Sequence, residues 1–236
     1  MKRPLHYHCE TRQPFQCCPF SFAEPAGFHS FAINTSWYLI MKKAEATRLT
    51  ILKKSFELIY EKGYQATSID DIIATTKVTK GAFYYHFKSK DEMGLAIISE
   101  ILKPALTQSF IEPLQKDENP VTAIYHLLHH LLMEDEFLKV EYGCPASNFA
   151  QEMAPWHQLF SQALEELTDK WQKLLIATIE NGKKKGFIRK DVQAKQAVLF
   201  IMSGYWGVRN FGKLANSRNA YKPWLKELKR YLESLQ

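Results

Sequence analysis

The segment Thr67-Ser68-Ile69-Asp70-Asp71-Ile72-Ile73-Ala74-Thr75-Thr76-Lys77-Val78-Thr79-Lys80-Gly81-Ala82-Phe83-Tyr84-Tyr85-His86-Phe87-Lys88-Ser89-Lys90-Asp91-Glu92 contains three helix starts in close succession. Ser68 is placed to accept from the amide of Asp71 while Asp71 reaches back, a variant of the capping box, and Ile69, Ile72 and Ile73 give the helix one apolar face. A turn around Thr76-Lys77 leads to a second cap at Thr79. Val78 ahead of that cap is spaced to staple against Phe83, and Phe83 and Phe87 face inward. Ser89 is the third cap, and Asp91 and Glu92 suit the positive end of the helix dipole. Two short helices joined by a tight turn make a helix-turn-helix over residues 67–87, whose second helix is suited to the major groove of DNA.

The side chains left outside fit that use. Thr79 and Tyr84 carry hydroxyls for phosphate, Lys80 carries charge, and Gly81 lets a base edge approach the backbone without a Cβ in the way. Tyr85 and His86 complete the surface. Thr67 or Ser68 and Lys90, each at a helix start, bracket the groove with further phosphate contacts. Phosphate contacts set register and base contacts set sequence, so Lys80, Gly81 and Tyr85 are the candidates for base readout.

Gly63-Tyr64-Gln65-Ala66-Thr67-Ser68-Ile69 followed by Val78-Thr79-Lys80-Gly81-Ala82-Phe83-Tyr84-Tyr85-His86-Phe87-Lys88-Ser89-Lys90-Asp91-Glu92 resembles the DNA-binding domain of the TetR family of regulators. The resemblance covers about residues 46–95. It implies that Thr67, Thr79, Lys80, Gly81, Tyr84, Tyr85, His86 and Lys90 lie where the family commonly touches DNA. Lys77 departs from it, because the family's turn usually has glycine there; a lysine reaches the same backbone at some cost.

Outward from this segment the chain reads as helix throughout, and nothing alternates with period two. A first helix runs from Thr47, with Ile51, Leu52, Ser55, Phe56, Leu58 and Ile59 at helical steps and Gly63 as its stop. Asn119-Pro120 opens a helix bearing Leu127, Leu128, Leu131 and Leu132. Further helices are expected from Pro155 to about Gly182, from Asp191 to about Lys213, and from about Tyr221 to Leu235. Breaks are expected at Pro104, Pro113, Gly143-Cys144-Pro145, Gly182 and Gly186. The fold class is all-α, with a helix-turn-helix domain over 41–92 and a helical domain over 93–236. Residues 1–40 lack periodicity and read as a disordered extension preceding a second start-like segment at Met41.

Composition narrows the class. The 236 residues are enough to close a core without staples. No stretch approaches the roughly 18 apolar residues of a membrane span, and no signal-like apolar run follows Met1. Of four cysteines, Cys9, Cys17 and Cys18 lie in the expected extension and only Cys144 lies beyond it, which indicates a reducing cytoplasm rather than a disulfide framework. The net charge of +6 permits a polyanionic partner, and residues 41–103 hold eleven Lys and Arg against eight Asp and Glu. Neither His6, His8 and the early cysteines nor His126, His129 and His130 have a metal-binding spacing with an acidic or thiol partner, so no metal or cofactor is expected.

In the second domain the apolar stripes Ala197, Val198, Phe200, Ile201, Tyr205, Val208 and Phe211, around Gly204 and Gly207, and Trp224, Leu225, Leu228, Tyr231, Leu232 and Leu235 are expected to pack. By the resemblance they continue across a two-fold axis into a homodimer. A pocket for a small, largely apolar effector is expected among Tyr125, His126, His129, Cys144, Asn148, Gln151, Met153, Trp156, Phe160, Trp171, Tyr205, Trp206 and Asn210. Gly143-Cys144-Pro145 resembles a Gly-Cys element of one branch of the family in which thiols sense electrophiles, and a cysteine at a helix start gains nucleophilicity from a lowered pKa.

The function expected is therefore a cytoplasmic, homodimeric repressor that leaves a palindromic double-stranded operator when a small molecule binds. The alternatives are a thiol sensor acting through Cys144 and a DNA-binding protein without a ligand. An enzyme is not expected, since the chain has no nucleophile elbow, phosphate loop or HExxH pair.

Overall fold

A computed structural model describes residues 35–115 and 118–236. Its helices are α1 (Thr35–Lys62), α2 (Ile69–Thr76), α3 (Lys80–His86), α4 (Lys90–Ile97), α5 (Lys103–Gln115), α6 (Pro120–Met133), α7 (Pro145–Met153), α8 (Gln158–Lys185), α9 (Ala194–Ala215) and α10 (Lys222–Glu233), with a π-turn at Ile98–Leu102 and a 3-10 turn at Arg218–Tyr221. No strand occurs among the described residues. Helix α1 starts twelve residues before Thr47. The reading of residues 1–34 as an extension lies outside the described residues, as do Cys9, Cys17 and Cys18.

The three caps form as their residue types dictate. Ser68 accepts from the Asp71 amide and Asp71 returns a bond to the Ser68 amide, completing the box. Thr79 accepts from Ala82 and Ser89 from Glu92. Between the first two, Lys77 sits in the left-handed region at φ 57°, ψ 23° and its amide closes the end of α2 on the Ile73 carbonyl. That is the backbone for which glycine is the easier residue. Ile51, Leu52, Phe56, Ile72, Phe83 and Phe87 then close one small core under α1–α3.

Three expected breaks are corrected. Pro104 does not end a helix: α4, the π-turn and α5 run on without interruption from Lys90 to Gln115. A proline ring clashes with the carbonyl four residues back, here Glu100, and that carbonyl lies inside the wider π-turn, which relieves the clash. Pro113 likewise lies within α5. Gly182 is inside α8, where a Cβ would stand 2.4 Å from Pro120 and 2.9 Å from Ile188; the stop is Gly186 at φ 80°.

Buried Leu127, Leu128, Leu131 and Leu132 of α6, Leu175 and Ile179 of α8, and Val198, Ile201 and Tyr205 of α9 pack together in the core. Helix α10 adds Leu225, Leu228 and Leu232. The guanidinium of Arg209, fully buried on α9, donates to the carbonyls of Lys139 (3.0 Å) and Gly143 and lies 3.3 Å from the hydroxyl oxygen of Tyr60 on α1.

Candidate DNA-binding face and effector cavity

Lys80, Gly81, Tyr84 and Tyr85 stand outward on α3, and Tyr85 is 77% exposed. A Cβ built at Gly81 would meet nothing nearer than Thr79 Oγ1 at 4.0 Å, so the fold does not itself require a glycine there. Lys80 Nζ lies 3.3 Å from Asp70 Oδ1, an exposed pair that solvent screens and a phosphate can displace. His86 is half-buried, and burial followed by the nearby Arg48 charge lowers its pKa, which keeps the ring neutral at pH 7. Arg48 itself is paired with Glu100 and lies 4.9 Å over the Phe87 ring.

Two helix starts flank this face. Ser68 is exposed, although its hydroxyl donates to Asp71 Oδ2 at 2.6 Å. Thr67 is a correction: its side chain is fully buried and its hydroxyl donates to the Gly63 carbonyl at 2.8 Å, closing the α1–α2 corner rather than facing a groove. Lys90 is half-buried, its ammonium 4.4 Å from the Tyr64 ring centroid, and burial lowers its pKa.

A cavity of about 460 Å³ opens between α5, α8, α9 and the start of α7. Leu106 and Phe110 of α5, Leu167 and Trp171 of α8, and Tyr205 of α9 supply its apolar body. The rings are fitted edge to face or tilted, Trp171 lying 4.6 Å from Phe110 and 5.2 Å from Tyr205. Cys144 and Ala146 form the end of the cavity next to α7. Of the expected pocket residues, Cys144, Trp171, Tyr205 and Trp206 meet there.

The others, Asn210 among them, do not. Phe160 is fully buried against Tyr64 and Phe149. Trp156 is 81% exposed in the α7–α8 connection. Asn148 donates to the Tyr142 carbonyl, Gln151 is within reach of Ser147, and Met153 accepts from Gln65. Tyr125 and His126 border a groove beside α10, and His126 also borders a second hollow with His129 and His130, where Glu134 lies 3.1 Å from both His129 and His130. An acidic partner beside these histidines was not expected. Among the described residues no group of three or more His, Cys, Asp or Glu is placed to hold a metal.

Leu106, Thr107 and Phe110 were missed because Pro104 reads as a helix end in sequence, which detached them from any pattern. The alternative reading of Cys144 as an activated thiol gains no support, and the residue is buried. Burial pushes its thiol up, against the amides of Ser147 and Ala146 and the Arg209 charge, so the helix start does not yield a thiolate.

Helix α9 has two faces. Ala197, Val198, Ile201, Tyr205 and Val208 are buried, whereas Leu199, Phe200, Phe211 and Leu214 are exposed. Gly204 lies under Trp224, Gly207 has open space beside it, and Tyr231 of α10 packs on Phe200 at 4.6 Å. The apolar residues of α9 are thus divided between core and surface. No helix among the described residues is long and apolar enough to cross a membrane.

Comparison with known proteins agrees with this arrangement. Residues 51–97 match the family described as bacterial regulatory proteins, tetR family, and residues 123–228 match the tetracyclin repressor-like C-terminal domain. An uncharacterized HTH-type transcriptional regulator in the lacX 3' region of Lactococcus lactis subsp. lactis is 31% identical over 158 residues, 67% of this chain and 80% of that one. The HTH-type transcriptional repressor DhaR of Mycobacterium sp. (strain GP1) is 24% identical over 185 residues, 75% and 88% of the two chains. The crystal structure of a TetR-family regulator from Cytophaga hutchinsonii superposes with a TM-score of 0.73 at 19% identity, covering 82% of this chain and 96% of that one, which is a likeness of fold.

Proposed function

The chain belongs to the TetR family of bacterial regulatory proteins, and from that membership we propose that it is a homodimeric repressor that releases a palindromic operator when a small molecule fills the cavity beside Trp171. Residues 41–92 act as the DNA-binding domain and 93–236 as the effector and dimerisation domain. Lys80, Gly81 and Tyr85 read bases, while Ser68, Thr79, Tyr84, His86 and Lys90 hold phosphates. Thr67 contributes by holding the corner beneath Ser68. The open face of α9, with Phe200, Phe211 and Leu214 beside Gly207, meets its copy across the two-fold axis.

Gly81 carries the DNA reading. It is a glycine on an exposed helix start with no neighbour of its own chain to avoid, so the backbone is bare for the sake of something outside the molecule. Release follows from α4–π–α5, one continuous helix with Lys90 at the DNA-binding end and Leu106, Thr107 and Phe110 in the cavity wall at the other. A ligand shifts the DNA equilibrium by its differential affinity for the two positions of that helix.

Selection from a random duplex pool tests the reading. The full chain should enrich a palindrome with half-sites one DNA turn apart, about 34 Å, or a multiple of it. Gly81→Val should abolish enrichment while the thermal unfolding curve stays put, because the added side chain meets open space. No enrichment by the folded wild-type chain, or a Gly81→Val variant that enriches the same sequence, overturns it.

A further inference from the structure

The charged side chains that line the cavity have one sign. Its lining holds two charged residues, Lys170 and Lys173, and no carboxylate. Both lysines are exposed on α8, beside the exposed Thr107, whereas Leu106, Phe110, Cys144, Ala146, Trp171 and Tyr205 are buried, so the polar groups collect at the mouth and the apolar ones in the body. Lys173 pairs with Asp169, 3.2 Å away and outside the lining; Lys170 has no ion-pair partner among the described residues. Behind the inner end stands Arg209, one helical turn after Tyr205 and bonded to the carbonyl of the residue before Cys144. Its bonds go to carbonyls and a phenol, not to a carboxylate, so its charge is not neutralised by contact. Asp135 lies outside the lining, its oxygens occupied by Ser109 and the amides of Phe137 and Leu138. The Tyr205 hydroxyl has no hydrogen-bond partner among the described residues and, held protonated by its burial, is a donor. Lysine, arginine and phenol all lower the energy of a negative charge in a half-shielded space and raise that of a positive one.

We infer that the effector is an apolar, aromatic-sized organic anion, its body between Phe110, Trp171 and Trp206 and its single negative charge at the mouth between Lys170 and Lys173. The inference rests on the cavity being the effector site and adds the chemistry of the ligand. Neutral apolar molecules fit the same walls but leave the mouth lysines unused, and cations are repelled from mouth and inner end alike.

Two probes separate body from charge: 1-anilinonaphthalene-8-sulfonate and N-phenyl-1-naphthylamine, one aromatic scaffold with and without a sulfonate. Binding to the full chain is read by probe fluorescence and by calorimetry. Thr107→Trp closes the mouth from its exposed rim and identifies signal from the cavity. The sulfonate should bind about tenfold tighter than the neutral amine, and more salt should reduce that ratio. In Lys170→Ala/Lys173→Ala the ratio should fall towards one. Equal affinities in the wild-type chain, or a ratio unchanged by removing the lysines, overturn the inference while leaving the cavity as the effector site. Binding of both probes that Thr107→Trp does not diminish removes the cavity reading itself, and the inference with it.

Discussion

The Tyr64 hydroxyl donates to Asp91 Oδ1 at 2.6 Å, joining the corner after α1 to the first turn of α4. Asp91 also faces His157 Nε2 at 3.6 Å, and Lys90 covers the Tyr64 ring. The hinge between the DNA-binding unit and α8 is therefore organised around one phenol. Tyr64→Phe leaves the ring contacts with Phe149 and Phe160 and removes only this bond to a charged acceptor. It should cost about 1.5–3 kcal/mol, read as a lower denaturant midpoint at unchanged slope.

Gly94 is the contact point of α4 with that hinge. A Cβ there would lie 2.7 Å from both Phe160 Cζ and Tyr64 Cε2, atoms of two rings buried in the core. Gly94→Ala gains roughly 1 kcal/mol of helix propensity and meets an overpacking cost of about 1–3 kcal/mol, so the net should be destabilising. Adding Phe160→Leu should recover part of the loss, and a double-mutant cycle in thermal unfolding should show coupling between the two sites.

The cap on α2 gives a pH signature. The hydroxyl and then the amide of Ser68 hold the Asp71 carboxyl below its usual range. A folded pKa depressed below the unfolded one contributes stability that is present above the unfolded value and lost as pH falls through the folded one. The advantage of wild type over Ser68→Ala should therefore be level at neutral pH and shrink on acidification below the ordinary aspartate range. Carboxyl chemical shifts should show Asp71 titrating higher in the variant.

Arg209 holds the loop before Cys144 to α1 and α9 at once. Arg209→Met keeps an apolar stem but leaves the buried Leu138 carbonyl without its donor, while the carbonyls of Lys139 and Gly143 keep the Tyr60 hydroxyl beside them. Since a buried polar group left unpaired costs about 1–3 kcal/mol, a loss of that size is expected. The loop from 138 to 143 should also gain amide exchange, measured by mass spectrometry, more than α10 does.

Local chemistry was sufficient for the DNA-binding unit. Ser68, Thr79 and Ser89 act on amides three residues away, the αL turn at Lys77 is confined to one residue, and apolar spacing around Phe83 and Phe87 repeats within a turn, so each could be read from neighbours in sequence. The all-helical class and the approximate spans of α6, α8, α9 and α10 followed in the same way. Tertiary packing decided the rest. Pro104 reads as a terminator, yet the π-turn before it lets one helix reach from Lys90 to the cavity. Trp156 and Phe160 are both large and apolar, and only the approach of α8 to Tyr64 and Gly94 puts one in solvent and the other in the core. Thr67 lies on the inner side of a corner whose direction depends on the Gly63 carbonyl, and Arg209 finds its acceptors more than sixty residues away in the chain. Cavity walls come from four separate helices, and a residue's membership in such a wall depends on their relative placement, which a period along the chain does not encode.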